Sequence, residues 1–586
     1  MAEFASVSSA PQKSAAEPAT PPPSSSSELE RSLGRLAENA RAFAATPARV
    51  KAAWLREVRA RFLELAPLMV ELGCRARRID PGSPLAGEVW LSGPAISLRA
   101  LRLFAKSLEE VAERGVPSLP AAPARSPDER VSLGIHPLDD YDRALFLGIR
   151  GEAWFEHGVS AAKLSEHQAS FYRRGAPEGS VVLVLGAGNV GSISVLDVLY
   201  HSFVEGAVCL LKMNPVNGYL GPLIEQAFAP LVERGFFAVA HGGGDVGAFL
   251  VEHRAVDAIH VTGSVETHDR IVWGPPGPER ERRKREGTPL TNKRVTSELG
   301  NVSPGLVVPD RYTERELERI ARSVAGMVIN NASFNCNALK LLVTARGWPQ
   351  RDELLRRIGR ALSSEPPRFA YYPGARERYQ RWLVAAAGTE LESFGEEGEG
   401  RLPWTLASGA DPSVSSELFE VEPFCGVLTE AALDADGAVD FLARATRFAN
   451  ERVFGTLNAM LFVSDSLERD TGAARALDRA LVELRYGTVA VNVWPAVSYG
   501  LGAPPWGGAP GATLVDAQSG LGWGHNALLL DHVHKVVIRS PLLSFPEPFW
   551  CPGHGGLAAL GRAFAEHEGA PSPWRAARVA WAGTRG

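Results

Sequence analysis

From Val181 to Thr262 the chain alternates short apolar runs with helix-like stretches, and no other feature constrains its fold as strongly. Residues 181–185, 207–212, 236–240 and 256–262 read as strands, and 190–203, 222–233 and 246–252 read as the helices between them. Such a βαβαβαβ run implies a parallel sheet, because each helical crossover returns the chain in the same direction with a right-handed twist. The expected class is α/β. A second α/β stretch covers about 300–500, residues 28–116 carry helical periodicity, and the segments near 143–158 and 528–540 read as extended.

The first of these strands runs into "LGAGNVGS", where Gly186, Gly188 and Gly191 have the G-x-G-x-x-G spacing of a dinucleotide-binding turn. That reading needs an acid at the end of the second strand to bind ribose hydroxyls. The second strand ends instead in Lys212, Met213, Asn214 and Pro215, and Glu205 lies before it, at the wrong end. A better phosphate site is "HVTGSVETHDRI". Here Ser264 is placed to cap a helix whose free N–H groups face a pyrophosphate.

Composition limits what the chain can do. Over 586 residues, 45% are apolar, 22% are charged and the net charge is −5, so nothing draws the whole chain to nucleic acid or an anionic membrane. Five scattered cysteines form no C-x-x-C pair. That pattern indicates neither a zinc site nor a disulfide framework, and it fits a reducing, cytoplasmic setting. No apolar run is long enough to span a bilayer.

Five segments in order carry a resemblance. "HVTGSVETHDRI", "KRVTSELGNVSPGLVVPD", "NNASFNCNA", "EVEPFCGVL" and "GTVAVN" followed by "PPWGG" together make the chain similar to the aldehyde dehydrogenase superfamily over roughly 35–540. The resemblance implies two parallel-sheet α/β domains, a Rossmann-like cofactor domain and a catalytic domain, with an extended oligomerisation arm. The expected layout is a disordered tail over 1–27, the cofactor domain over 28–299 interrupted by a hairpin near 143–158, the catalytic domain over 300–515, the arm over 516–545 and an extension over 546–586. The arm implies a homodimer or homotetramer.

The resemblance also assigns roles. Cys336 is the nucleophile, since a thiolate both attacks a carbonyl and leaves from a thioester. Glu298 is the general base for the deacylating water. Asn189, in the turn that "GAGN" makes, supplies an amide N–H to the oxyanion, and the glycine spacing becomes incidental. Lys212 and Glu422 hold the ribose rings of NAD or NADP, Gly263 and Ser264 face the pyrophosphate, and Leu299 and Phe424 complete the cofactor site. No metal is expected.

The implied activity is oxidation of an aldehyde to a carboxylic acid through a cysteine thiohemiacetal and thioester. Two alternatives are an acyl-CoA reductase or acylating dehydrogenase, and a non-catalytic scaffold on the same fold. Glu298 argues against the first, and Cys336, Glu298 and Asn189 together argue against the second. Phe334, Trp494, Tyr499 and Trp506 lie near these motifs, so the aldehyde is expected to be apolar. The charged run over 275–291 is expected to be a solvated loop.

Overall fold

Five parallel strands form the first sheet: Val181–Leu185, Val208–Lys212, Phe237–Ala240, Ala258–Gly263 and Arg294–Leu299. Gly520–Leu521 closes one edge, antiparallel to the last of them. The chain is described here by a computed structural model covering residues 18–175 and 178–585. In sheet order the strands are 520–521, 294–299, 258–263, 181–185, 208–212 and 237–240. The central ones are buried along their length because helices cover both faces, as parallel sheets require. The chain leaves Leu185 toward one side and returns to Ala258 on the other. The crevice outside these carboxyl ends is where α/β sheets hold ligands.

The second sheet has eleven strands. Its centre is parallel, through Val533–Arg539, Thr488–Val491, Asn458–Phe462, Pro304–Val307, Leu341–Ala345, Val427–Leu433 and Trp404–Ala410. A second apolar core surrounds it.

Four expectations are corrected. Of the tail expected to be disordered over 1–27, residues 1–17 lie outside the described residues. Residues 18–25 lack regular structure but are anchored, since Ser24 N–H donates to the His241 carbonyl at 2.9 Å and Ser24 Oγ accepts from His241 N–H at 3.0 Å. Helix Ser26–Ala45 follows at once, because Ser25 and Glu28 form a capping box.

Residues 143–158 are not a self-contained hairpin. Arg150–Phe155 pairs with Val131–His136, and Asp139 caps a short helix, Asp140–Leu145, in the connection.

The charged run over 275–291 contains a helix, Pro278–Glu286. Its alternating charges fall at helical spacing, where Arg282 pairs with Glu279 and Glu286 and Arg283 pairs with Glu279. Arg280 turns inward and grips Glu266 with both terminal nitrogens.

The arm pairs within its own chain. Val533–Arg539 lies between Thr488–Val491 and Arg150–Phe155 and is hydrogen-bonded on both sides. The edge expected to need a second copy is covered in cis.

The C-terminal extension is built into the molecule. Helices Leu557–Gly569 and Pro573–Gly583 pack together and against the N-terminal helices. The fit is close: a Cβ on Gly87 would stand 2.3 Å from the Leu557 carbonyl carbon, and one on Gly326 would stand 1.9 Å from the Trp550 oxygen. A buried ion network ties these parts. Arg99 donates to both carboxylate oxygens of Asp142 at 2.9 Å and to Glu568 at 2.7 Å, while Arg102 holds the other Glu568 oxygen at 2.6 Å. Removing one member of such a network strands the others in a low dielectric. Arg99→Leu is therefore expected to cost about 3–5 kcal/mol, read as a fall in the thermal midpoint. An unchanged midpoint would mean that the network holds nothing together.

Candidate active site

Cys336 stands on a strained turn. Helix Glu314–Ile329 ends at Asn330, and three consecutive residues then adopt left-handed backbone: Asn331 (φ 53°), Ala332 (φ 53°) and Ser333 (φ 70°). None is glycine, so each costs roughly 1–3 kcal/mol and persists only where its surroundings fix it. The fixing groups are visible. Glu88 accepts Asn331 N–H at 2.8 Å, and Tyr371 and Arg77 donate to the Asn331 side-chain oxygen at 2.9 and 3.2 Å. The buried Lys340 ammonium binds the Ser333 carbonyl at 3.2 Å and the Cys425 carbonyl at 2.7 Å.

Asn189 is locked to the same turn. Its carbonyl accepts from Arg77 and Asn331, each at 3.0 Å, and shares the single Tyr371 hydroxyl hydrogen, 3.0 Å away, with the Asn331 side-chain oxygen, while its amide donates one hydrogen to the Phe334 carbonyl at 2.9 Å. The second amide hydrogen stays available to a ligand beside Cys336. The glycines before it have work of their own. A Cβ on Gly186 would meet Ser194 Oγ at 2.3 Å, and one on Gly188 would meet the Asn214 side chain at 2.6 Å. Close packing by itself requires glycine at both positions.

Glu298 reaches the turn from the other sheet, at the carboxyl end of Arg294–Leu299. Its Oε1 accepts the Cys336 S–H at 3.2 Å. Burial, and then the nearby Asp197 charge, push Glu298 up to about 7. Burial, reinforced by Glu298 and Glu422, holds the Cys336 thiol well above its ordinary range. A carboxyl near neutrality is suited to take a proton at physiological pH. The thiol beside it rests protonated.

Two cavities meet at Cys336, and Glu298 lines the larger of them. The larger, about 1440 Å³, is lined by all nine residues expected at the site: Asn189, Lys212, Gly263, Ser264, Glu298, Leu299, Cys336, Glu422 and Phe424. Ser264 caps its helix as expected, its hydroxyl accepting from Thr267 N–H at 3.2 Å. Glu422 lies against Gly300, where a Cβ would strike its carboxylate at 2.2 Å, and burial pushes it up to about 7. Its Oε1 is buried and has no hydrogen-bond partner among the described residues.

The smaller cavity, about 310 Å³, also reaches Asn189 and Cys336. Trp494 and Tyr499 line it, but Phe334 and Trp506 do not. Phe334 meets Tyr371 edge to face and Tyr372 and Phe424 at a tilt, and Trp506 packs on Tyr499 and His525. The C-terminal extension supplies much of the wall through Phe549, Trp550, Leu557, Leu560 and Phe564. Its two carboxylates, Glu88 and Glu547, are held by Arg368 and Arg322. Sequence reading missed Arg77, Tyr371 and the extension, since each reaches the site from far along the chain. Lys340 left one signal, a lone lysine entering the apolar strand "LLVTA".

A family model described as the aldehyde dehydrogenase family matches residues 151–364. Betaine aldehyde dehydrogenase of Rhizobium johnstonii is 26% identical over 338 residues, which is 54% of this chain and 59% of that protein, so the chain spans less than two thirds of that relative. NADP-dependent glyceraldehyde-3-phosphate dehydrogenase of Bacillus halodurans superposes with a TM-score of 0.59 at 18% identity, covering 88% of this chain and 92% of that one. An NAD-dependent aldehyde dehydrogenase of Sinorhizobium meliloti superposes with a TM-score of 0.58 at 19% identity, covering 90% and 89%. These superpositions establish the fold.

The electrostatics of the pair make a prediction that needs no substrate. If the Glu298 charge suppresses the Cys336 thiolate, Glu298→Gln speeds alkylation of Cys336 by iodoacetamide at fixed pH. The expected gain is about tenfold, the equivalent of one pKa unit, measured by mass spectrometry of the labelled peptide. Slower labelling would mean that Glu298 activates the thiol instead.

Proposed function

The chain belongs to the aldehyde dehydrogenase superfamily, and from that premise we propose that it oxidises an apolar aldehyde to the carboxylic acid with NAD or NADP as oxidant. The observation that carries this reading is the Cys336–Glu298 contact of 3.2 Å where a long polar-ended cavity meets an apolar one.

The larger cavity suits a dinucleotide. It offers a cation at Lys212, a capped helix start at Ser264, and a buried carboxylate oxygen at Glu422 with no partner among the described residues, placed to accept from ribose hydroxyls. The nicotinamide cofactor, when bound, accepts the hydride. Pro215 follows Lys212 where an acid would repel an added phosphate, so both cofactors remain compatible.

Cys336 Sγ bonds to the aldehyde carbon as its proton passes to the aldehyde oxygen, and a thiohemiacetal forms. The free Asn189 amide hydrogen and the Cys336 backbone N–H stabilise its oxygen. Loss of hydride, and of the hydroxyl proton to solvent, leaves a thioester on Cys336. Glu298 then takes a proton from water, the water oxygen bonds to the acyl carbon, and the C–S bond breaks with its electron pair going to Sγ, which takes that proton back from Glu298 as a thiol. This placement of Glu298 favours hydrolysis over transfer to a thiol carrier, and an intact nucleophile and base argue against a scaffold. The five unpaired cysteines support a reducing, cytoplasmic setting, and among the described residues no helix is long and apolar enough to cross a membrane.

Three measurements test the reading. Cys336→Ala should abolish aldehyde-dependent NAD(P)H formation while cofactor binding survives; turnover within tenfold of wild type would remove Cys336 from the role. Glu298→Gln should keep a pre-steady-state burst while steady turnover falls by ~10²–10⁴; equal slowing of both phases would remove Glu298. For the substrate, each methylene entering the apolar cavity is worth roughly 0.8 kcal/mol, so kcat/KM should climb from acetaldehyde through hexanal. A flat series would reject the apolar tunnel alone.

A further inference from the structure

The smaller cavity reaches the surface where five of its lining residues are exposed: Ala144, Leu147, Phe545, Ala580 and Thr584. Four of the five are apolar, so the mouth continues the character of the wall behind it. Three segments of the chain meet there. Helix Pro573–Gly583 contacts helix Asp140–Leu145, and a Cβ on Gly583 would stand 3.8 Å from Pro546. Leu147 is 53% exposed and Phe545 74%, although both sit at the entrance of an apolar cavity that could have received them.

Helix Pro573–Gly583 carries the same pattern outward. Ala576, Val579 and Ala582 form its buried face, and Val579 reaches the cavity. Trp574, Arg578 and Trp581, with Arg585 just past the helix end, follow at intervals of four, three and four residues, which places them in one outward stripe. Of the thirteen tryptophans in the chain, Trp574 and Trp581 alone are exposed, at 74% and 63%. The stripe is also basic. Residues 569–586 contain three arginines and no acidic side chain. Glu566 of the preceding helix is shared by Arg562 and Arg578, so two guanidiniums on one carboxylate leave a positive charge, and the Arg585 guanidinium lies 4.7 Å from the centre of the Trp581 ring.

Large side chains left in water lose about 25 cal/mol for each Å² of apolar surface that burial would remove, and a contiguous patch of them marks an interaction site. Indoles alternating with guanidiniums on one helix face suit the boundary of a bilayer, where the rings sit at headgroup depth and the cations meet lipid phosphates. We propose that this face docks on an anionic lipid bilayer, and that the apolar aldehyde enters the smaller cavity from the lipid. The cavity favours lipid over a protein partner. An apolar aldehyde partitions into a bilayer, and Leu147, Phe545 and Ala580 put the entrance inside the patch, so a docked molecule takes substrate without passage through water. A protein seated on the same face would plug the entrance. The net charge of −5 on the whole chain does not oppose docking, because charges more than about 10 Å from the contact are largely screened at ordinary salt. The lipid-borne substrate rests on the dehydrogenase reading above; the docking itself does not.

Vesicle flotation of the full chain tests the docking with no aldehyde present. Wild type should float with phosphatidylcholine vesicles that contain phosphatidylglycerol, with a blue shift of its tryptophan emission, and should float less with pure phosphatidylcholine or at raised salt. Trp574→Ala with Trp581→Ala should lower vesicle partition by about tenfold, and Arg578→Gln with Arg585→Gln by a similar factor on the anionic vesicles only. These side chains point away from the cavity, so both double variants should keep the wild-type kcat/KM for hexanal in solution while turnover of dodecanal supplied in anionic vesicles falls by about tenfold. Wild type that stays unbound, or tryptophan variants that float as wild type does, would overturn the proposal. So would a wild-type dimer that the tryptophan variant splits into monomers, with neither binding vesicles, since the face would then be a contact between two copies. Vesicle binding without turnover of any aldehyde would keep the docking surface and remove the dehydrogenase reading, and the lipid-borne substrate with it.

Discussion

The rest of the structure depends on one contact between two independently built sheets. Glu298 ends a strand of the first sheet, Cys336 follows a helix that packs on the second, and their side chains meet at 3.2 Å. Each sheet has its own apolar core. The pair therefore lies where the two bodies abut, in a place dry enough to raise both groups above their ordinary pKa values. Low dielectric makes the carboxyl a base that works near neutrality and keeps the thiol quiet until the site is filled.

Such a contact needs a rigid frame, and the frame is polar. The left-handed run at 331–333 is unstable by itself. It is held because Arg77, Tyr371 and Asn331 converge on the Asn189 carbonyl, which fixes the turn from the first sheet to the turn that carries the cysteine. The same hydrogen bonds that pay for the strain also set the distance between Asn189 and Cys336. Buried polar networks are favourable only when every member is satisfied, and this one recruits side chains from residues 77, 189, 331 and 371 to achieve it.

The C-terminal extension changes what the site can hold. In covering the helices at 86–114 it also closes one side of the smaller cavity with aromatic and aliphatic side chains. Stability and selectivity are thus linked, since the ion network around Arg99 that seats the extension also keeps that wall in place. The arm strand at 533–539 belongs to the same design. Once it pairs within its own sheet, the chain that follows is delivered to the mouth of the cavity.

The sequence by itself determined the parallel sheet at 181–263, through the period of its apolar runs, and nine residues that line the larger cavity, through five ordered local motifs and the strand ends that carry Asn189 and Lys212. Those are local properties, carried by neighbours along the chain. It misjudged the segments whose state depends on partners. The 275–291 run contains a helix because its charges pair at helical spacing and Arg280 finds Glu266. The arm is a paired strand because an edge of its own sheet was open. Phe334 and Trp506 turn away from the tunnel because other aromatics receive them. The tertiary structure alone decided that Arg77 and Tyr371 brace Asn189 and that the last forty residues wall the smaller cavity. The reason is physical: a side chain's role there is set by what folding brings within about 3 Å of it, and no period or motif along the chain encodes contacts between residues a hundred or more positions apart.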